Sequence, residues 1–164
     1  MKSTMRGLAA GAVIGSCVMA WSSNAGRDLV GAQGMHKPVV MKRIYTGTDG
    51  LSHVEDIPLE RNMPMEKVTG VRVNVSPPGS FNDWHPGGGR RYIINVTGGG
   101  QLETADGILD LPAGSIEYID DLTGKGHITR NVGKEPRVSI WLEFVDQKQR
   151  IGPLNPKAAT SPHP

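Results

Sequence analysis

Two histidines and an arginine, His85, His127 and Arg91, are the side chains through which this sequence could do chemistry. An imidazole changes charge near neutral pH, so the pair could exchange a proton, make hydrogen bonds or hold a divalent metal. Arg91 stays protonated, and its planar fork suits a carboxylate, phosphate or sulfate. Asp120 is a candidate fourth member of such a pocket, and Trp84, next to His85, is either a wall or lid of it or an ordinary rim aromatic. The single cysteine, Cys17, lies near the N-terminus, so the body of the chain has no thiolate nucleophile, disulfide or cysteine metal site. The histidines stand forty-two positions apart, and only a fold can bring them together.

The chain between them reads as short strands separated by turn chemistry. There are 22 glycines and 12 prolines in 164 residues, which favours many short elements over a few long helices. Strands are predicted at 40–45, 68–75, 91–96, 101–104, 108–111, 115–119, 126–130 and 138–144. Val71, Val73 and Val75 recur at period two, and Val138, Ile140, Leu142 and Phe144 alternate with Ser139, Trp141 and Glu143. Trp141 has the opposite parity to its apolar neighbours, which suggests packing on a partner subunit. No stretch makes a convincing amphipathic helix. One all-β sandwich or barrel over 40–146 is expected.

Residues 1–25 read as a secretory signal peptide. Lys2 and Arg6 form its positive start, residues 8–20 an uncharged apolar run, and Ser23-Asn24-Ala25 a small-residue cleavage site. The alternatives are an uncleaved anchor, for which the run is short, and a lipoprotein anchored at Cys17 within Ile14-Gly15-Ser16-Cys17. Residues 26–39 are expected to be a flexible lead-in, and 147–164 an extended, disordered tail. The expected location is secreted or periplasmic, without stable membrane insertion once the signal is cleaved. Lys and Arg number 18 against 16 Asp and Glu; losing Lys2 and Arg6 makes the counts equal, which leaves no electrostatic case for nucleic acid.

A family resemblance enters at Trp84-His85-Pro86 and the run from Arg90 to Gly98. With Gly79 six residues before His85, this stretch resembles the first cupin motif, G-x5-H-x-H-x3,4-E-x6-G. The segment from Gly114 to His127-Ile128-Thr129-Arg130-Asn131 resembles the second, G-x5-P-x-G-x2-H-x3-N, lengthened by two residues. The resemblance implies a cupin-type jelly-roll β-barrel with a pocket in its mouth. In metal-bearing cupins two His and a Glu of the first motif and a His of the second hold a divalent ion. Carried over, His85 and His127 match, whereas Gly87 replaces the second His and Arg91 the Glu. A guanidinium about 5 Å from a dication, at an effective dielectric of about 20, costs roughly 6–7 kcal/mol. Asp83, Glu103, Glu117 and Asp120 are candidates for the missing carboxylate.

Three readings follow. In the first, an exported barrel binds, and could transform, a small polar or anionic molecule at His85, Arg91 and His127. In the second, Fe, Mn, Ni or Zn on His85, His127 and a carboxylate serves an oxygenase or isomerase. In the third, a non-catalytic barrel binds a partner, or a second copy as a homodimer, through its outer sheet faces and Trp141. Blander assignments stand beside these. Arg91 could pair with Glu103 across a hairpin, Gly87-Gly88-Gly89 reads as a flexible turn, and Gly124-Lys125-Gly126 as a tight turn that aims His127.

Overall fold

The computed structural model describes residues 38–154; the expected signal peptide, Cys17 and most of the expected lead-in, together with residues 155–164 of the tail, lie outside them. Ten strands make up the regular structure: β1 (Val40–Thr46), β2 (Ser52–Pro58), β3 (Val68–Ser76), β4 (Phe81–His85), β5 (Arg91–Thr97), β6 (Gly100–Thr104), β7 (Gly107–Leu111), β8 (Ile116–Asp120), β9 (His127–Asn131) and β10 (Arg137–Phe144). Among the described residues there is no helix. Two strands escape the sequence pattern. β2, SHVEDIP, is too polar to show alternation, and β4, FNDWH, carries two residues that strands disfavour.

The strands form two sheets, ordered β2-β1-β8-β5-β10-β3 and β4-β9-β6-β7. Strands β3 to β10 give a β3-β10-β5-β8 sheet facing β4-β9-β6-β7, with the chain crossing between sheets in Greek-key fashion. That is the eight-stranded jelly roll. β1 extends the larger sheet by pairing parallel to β8, and β2 closes that edge as an antiparallel hairpin with β1.

Alternation gives the larger sheet two apolar clusters, one on each face. Between the sheets lie Ile44, Ile93, Leu102, Leu111 and Ile119, with Trp141 packed against them. Each such buried aliphatic side chain contributes about 1.5–3 kcal/mol. On the opposite face Met41, Tyr92, Tyr118 and Phe144 form a second cluster, with Leu59 and Met63 of the β2–β3 connection packed on it. Its rings meet edge to face, Tyr92 and Phe144 at 4.5 Å between centroids.

Over β3 and β10 the polarity is reversed from that of a closed apolar barrel. Asn74 and Ser76 of β3 and Arg137, Ser139 and Trp141 of β10 face the interior cavity. Val71, Val73 and Val75, one position out of step with them, are 64%, 68% and 59% exposed. Trp141 therefore corrects the expectation that it packs on a partner: it is a wall of the cavity, with its Nε1 donating to Ser139 Oγ at 2.9 Å.

Polar contacts dock the segment after β10 on the barrel. Residues 147–154 have no regular secondary structure. Arg43 donates to the carbonyls of Arg150 and Gly152 at 2.7 and 2.9 Å, and Leu154 N donates to Glu55. Gln147 closes a two-way bond with the Arg90 backbone, accepting from its N–H at 2.7 Å and donating to its carbonyl at 3.0 Å.

Candidate functional site

β4 and β9 are neighbours in the smaller sheet, and their register sets His85 directly opposite His127. The two rings lie 4.7 Å apart between centroids, tilted by 58°. Glycine permits this approach. Gly126 has φ +74°, and a Cβ there would land on the His85 carbonyl. The Gly124-Lys125-Gly126 turn therefore does aim His127, with Lys125 outward.

Both imidazoles are held at Nδ1. His127 Nδ1 meets Asp121 Oδ2 at 2.6 Å, and Ser52 Oγ donates to the same oxygen at 2.7 Å. His85 Nδ1 lies 2.7 Å from the Asp83 carbonyl. A carboxylate and a carbonyl only accept, so in the neutral rings Nδ1 carries the hydrogen and Nε2 keeps the lone pair. Neither Nε2 has a hydrogen-bond partner among the described residues.

The two histidines and Arg91 line one cavity of about 200 Å³, small beside the usual range for ligand pockets. Its floor is Ile93, Leu102 and Ile119, and its polar wall includes Asn74, Ser76, Thr129 and Ser139. Arg91 is 6% exposed. Its Nε donates to the Gly89 carbonyl at 3.0 Å, and its guanidinium stacks over Trp141 at 4.5 Å from the ring centre. Burial pulls the Arg91 pKa below its ordinary value, though an arginine starts so high that it stays charged. The nearest carboxylate, Glu143, is 3.5 Å from Arg91 and only 2.5 Å from Arg72.

Arg137 is differently placed. It donates to Glu117 at 2.6 Å and to Asn95 at 2.7 Å, deep in the cavity wall. Burial pushes the Glu117 carboxyl up, while Arg137 and Asn95 pull it down. This pair neutralises itself, so Arg91 is the cavity cation whose charge is left least compensated.

Two expected pocket members lie elsewhere. Asp120 is one position out of step with Glu117 and Ile119, which face the cavity, so it falls on the opposite face of β8 with Tyr118. There it is fully buried between Arg43 and Arg90, at 2.6 and 2.8 Å. Trp84 likewise has the opposite parity to His85; it lies outside the cavity, with Lys125 Nζ 3.5 Å from its ring centre. The Arg91–Glu103 pair does not form either, because Glu103 binds Arg130 at 2.6 Å. The residue that sequence reading missed is Asp121. The available signal was the Asp120-Asp121 pair, with Asp120 ending β8 and Asp121 following it, so that neighbouring side chains leave on opposite faces.

The donor set does not fit a resident metal. Two imidazoles reach the cavity, but a guanidinium and a glycine stand where a carboxylate and a third imidazole would be. Of the four carboxylate candidates only Glu117 lines the cavity, and it is engaged by Arg137 and Asn95. Among the described residues no three His, Cys, Asp or Glu groups cluster as a metal site.

No family model matches the chain, and no curated protein does. Solved structures with similar strands include a cupin domain from Bordetella pertussis, 21% identical, covering 69% of this chain and all of its own, with a TM-score of 0.38. A cupin 2 conserved barrel protein from Salinispora arenicola is 21% identical, covering 51% of this chain and 73% of its own, with a TM-score of 0.37. Oxalate decarboxylase from Bacillus subtilis is 22% identical over 51% of this chain, which spans 23% of that enzyme, with a TM-score of 0.38. By its own strand order the chain is an eight-stranded jelly roll, and the two stretches that resemble the cupin motifs meet across β4 and β9.

Proposed function

We propose that this is an exported protein whose barrel mouth binds a small anionic molecule, seated by its negative group on Arg91. One observation carries the reading: Arg91 is a buried guanidinium, stacked on Trp141 at the cavity, whose nearest carboxylate is held closer by Arg72. A buried cation with a shared counter-ion gains from a ligand carboxylate or phosphate that brings a second one. His85 and His127 then present Nε2 to the rest of the molecule. The test is a thermal-shift and calorimetric screen of small organic acids and sugar phosphates against the parent and Arg91→Ala. At a ligand concentration of 100 Kd the parent gains about 2.7 kcal/mol, and the variant gains little. Equal binding by Arg91→Ala sinks the reading.

A second reading concerns the outer face of β3, β10 and β5. Val71, Val73, Val75 and Val96 are each at least 46% exposed there, and β3 is an edge strand with one backbone side unpaired. Strand spacing and rise make this face roughly 15 Å by 25 Å, about half of what each partner of a standard interface covers. The unpaired β3 backbone and the rims extend it. We infer that a second copy covers it, β3 against β3 about a two-fold axis. Sedimentation of the full chain is expected to give a dimer that Val73→Lys converts to monomer; a monomeric parent dismisses the idea.

A further inference from the structure

The cavity contains a buried chemical arrangement that ligand binding alone does not use. Asp121 is fully buried beneath His127, accepts from His127 Nδ1 and Ser52 Oγ through one oxygen, and has no partner for the other, Oδ1, among the described residues. Asp121 fixes which nitrogen of His127 holds the hydrogen and balances the charge formed when Nε2 takes a proton. His85, across the strand pair, has only a neutral carbonyl behind it. The two rings look alike in sequence, yet only His127 has a buried carboxylate at its back.

We propose that His127 is a general base, positioned by Asp121, that removes a proton from the carbon next to the carbonyl of a small 2-oxo carboxylate held on Arg91. The proposal rests on the anion-binding reading above. The size of the cavity, about 200 Å³, suits an acid of few carbons, and the Asn74, Ser76 and Ser139 side chains offer hydrogen bonds to its carbonyl oxygen. The C–H bond breaks and its proton moves to His127 Nε2. Its electron pair becomes a carbon–carbon double bond, and the carbonyl π pair moves onto oxygen, giving the enolate. Return of the proton from Nε2 to carbon restores the keto acid, so the cycle needs no oxidant, reductant or second substrate. His127 is the catalytic residue, and Asp121 and Ser52 act through it.

The experiment is solvent exchange. Pyruvate and 2-oxobutyrate are incubated in D2O with the full chain, and loss of the C3 proton signal is followed by NMR; binding of the same acids is read separately by thermal shift. The parent is expected to exchange C3 protons faster than buffer, and His127→Gln to fall to the buffer rate at acid concentrations that saturate the variant's own thermal shift. Asp121→Asn is expected to lower the saturated rate by about 10²-fold or more with the half-saturating concentration unchanged, a split that a loss of packing would not produce. If Asp121→Asn does not fold, Ser52→Ala, which loosens the same carboxylate, is expected to lower the saturated rate about tenfold. Binding without exchange overturns the base assignment and leaves the anion site standing. Exchange that survives His127→Gln overturns it equally, and absence of both binding and exchange overturns both readings.

Discussion

Adjacent aspartates with opposite duties allow a sharp mutational contrast, and Asp120→Asn is the informative half of it. Asp120 is fully buried, one oxygen meeting Arg43 at 2.6 Å and the other Arg90 at 2.8 Å. Both arginines are themselves fully buried. The amide keeps the shape but removes the charge between two guanidiniums, and its NH2 group faces a donor where an acceptor stood. Breaking a buried pair in this way costs about 3–5 kcal/mol. Arg43 keeps Glu55 at 2.5 Å and Arg90 keeps Asp146 at 3.3 Å, so the lower half of that range, about 3 kcal/mol, is expected. For a domain of this size that corresponds to a fall in Tm of very roughly 10 °C. Calorimetric unfolding of the parent and variant at one pH measures it, and anion binding at a temperature where both are folded is expected to be unchanged. A loss below about 1 kcal/mol, or a binding defect without a stability defect, would refute the placement of Asp120 away from the cavity and the ledger built on it.

Other outcomes follow from single contacts. Gly126→Ala puts a Cβ on the His85 carbonyl at a φ of +74°; it is expected to cost more than about 1 kcal/mol and to weaken organic-acid binding, read by denaturant unfolding and calorimetry. His53 lies 3.0 Å from Asp49 and 2.8 Å from Asp106; burial alone would lower its pKa, but the two carboxylates outweigh it and hold the pKa above the ordinary value. A raised folded-state pKa means that this clamp stabilises fully below the unfolded value of about 6.5 and is lost as pH rises through the folded one. Urea midpoints are therefore expected to fall over that window in the parent and to lose this component in His53→Gln. Added Fe, Mn, Ni or Zn is expected to leave Tm unchanged, whereas a metal at 100 Kd would contribute about 2.7 kcal/mol; a shift of that size, lost in both His85→Ala and His127→Ala, would overturn the donor-set argument.

The jelly roll was legible because its strands alternate and its turns are marked by glycine. His85, Arg91 and His127 stood out because they occupy the positions of the two half-motifs where ligand-holding side chains are expected. β2 was not legible: its register rests on pairing with β1 and on buried Glu55 meeting Arg43, and a charge buried against a distant partner looks in sequence like a charge in water. Asp120 and Trp84 were misplaced for a simpler reason. Each is next in sequence to a cavity residue, and in a strand a neighbour in sequence is a neighbour on the wrong face. Asp121 was missed because its importance depends on His127 and Ser52, which approach from two other elements. Trp141 was misread because apolar residues were taken to mark the inside, while on β10 the cavity side is the polar one.

That reversed strand has an evolutionary corollary. Much of the cavity's polar wall stands on β3 and β10, at alternate positions whose neighbours point into another environment. Exchanging Asn74, Ser76 or Ser139 would alter what the hollow recognises while leaving the aliphatic cluster at its floor intact. Selection could thus retune the chamber one rung at a time, on rigid rails, with no loop to rebuild.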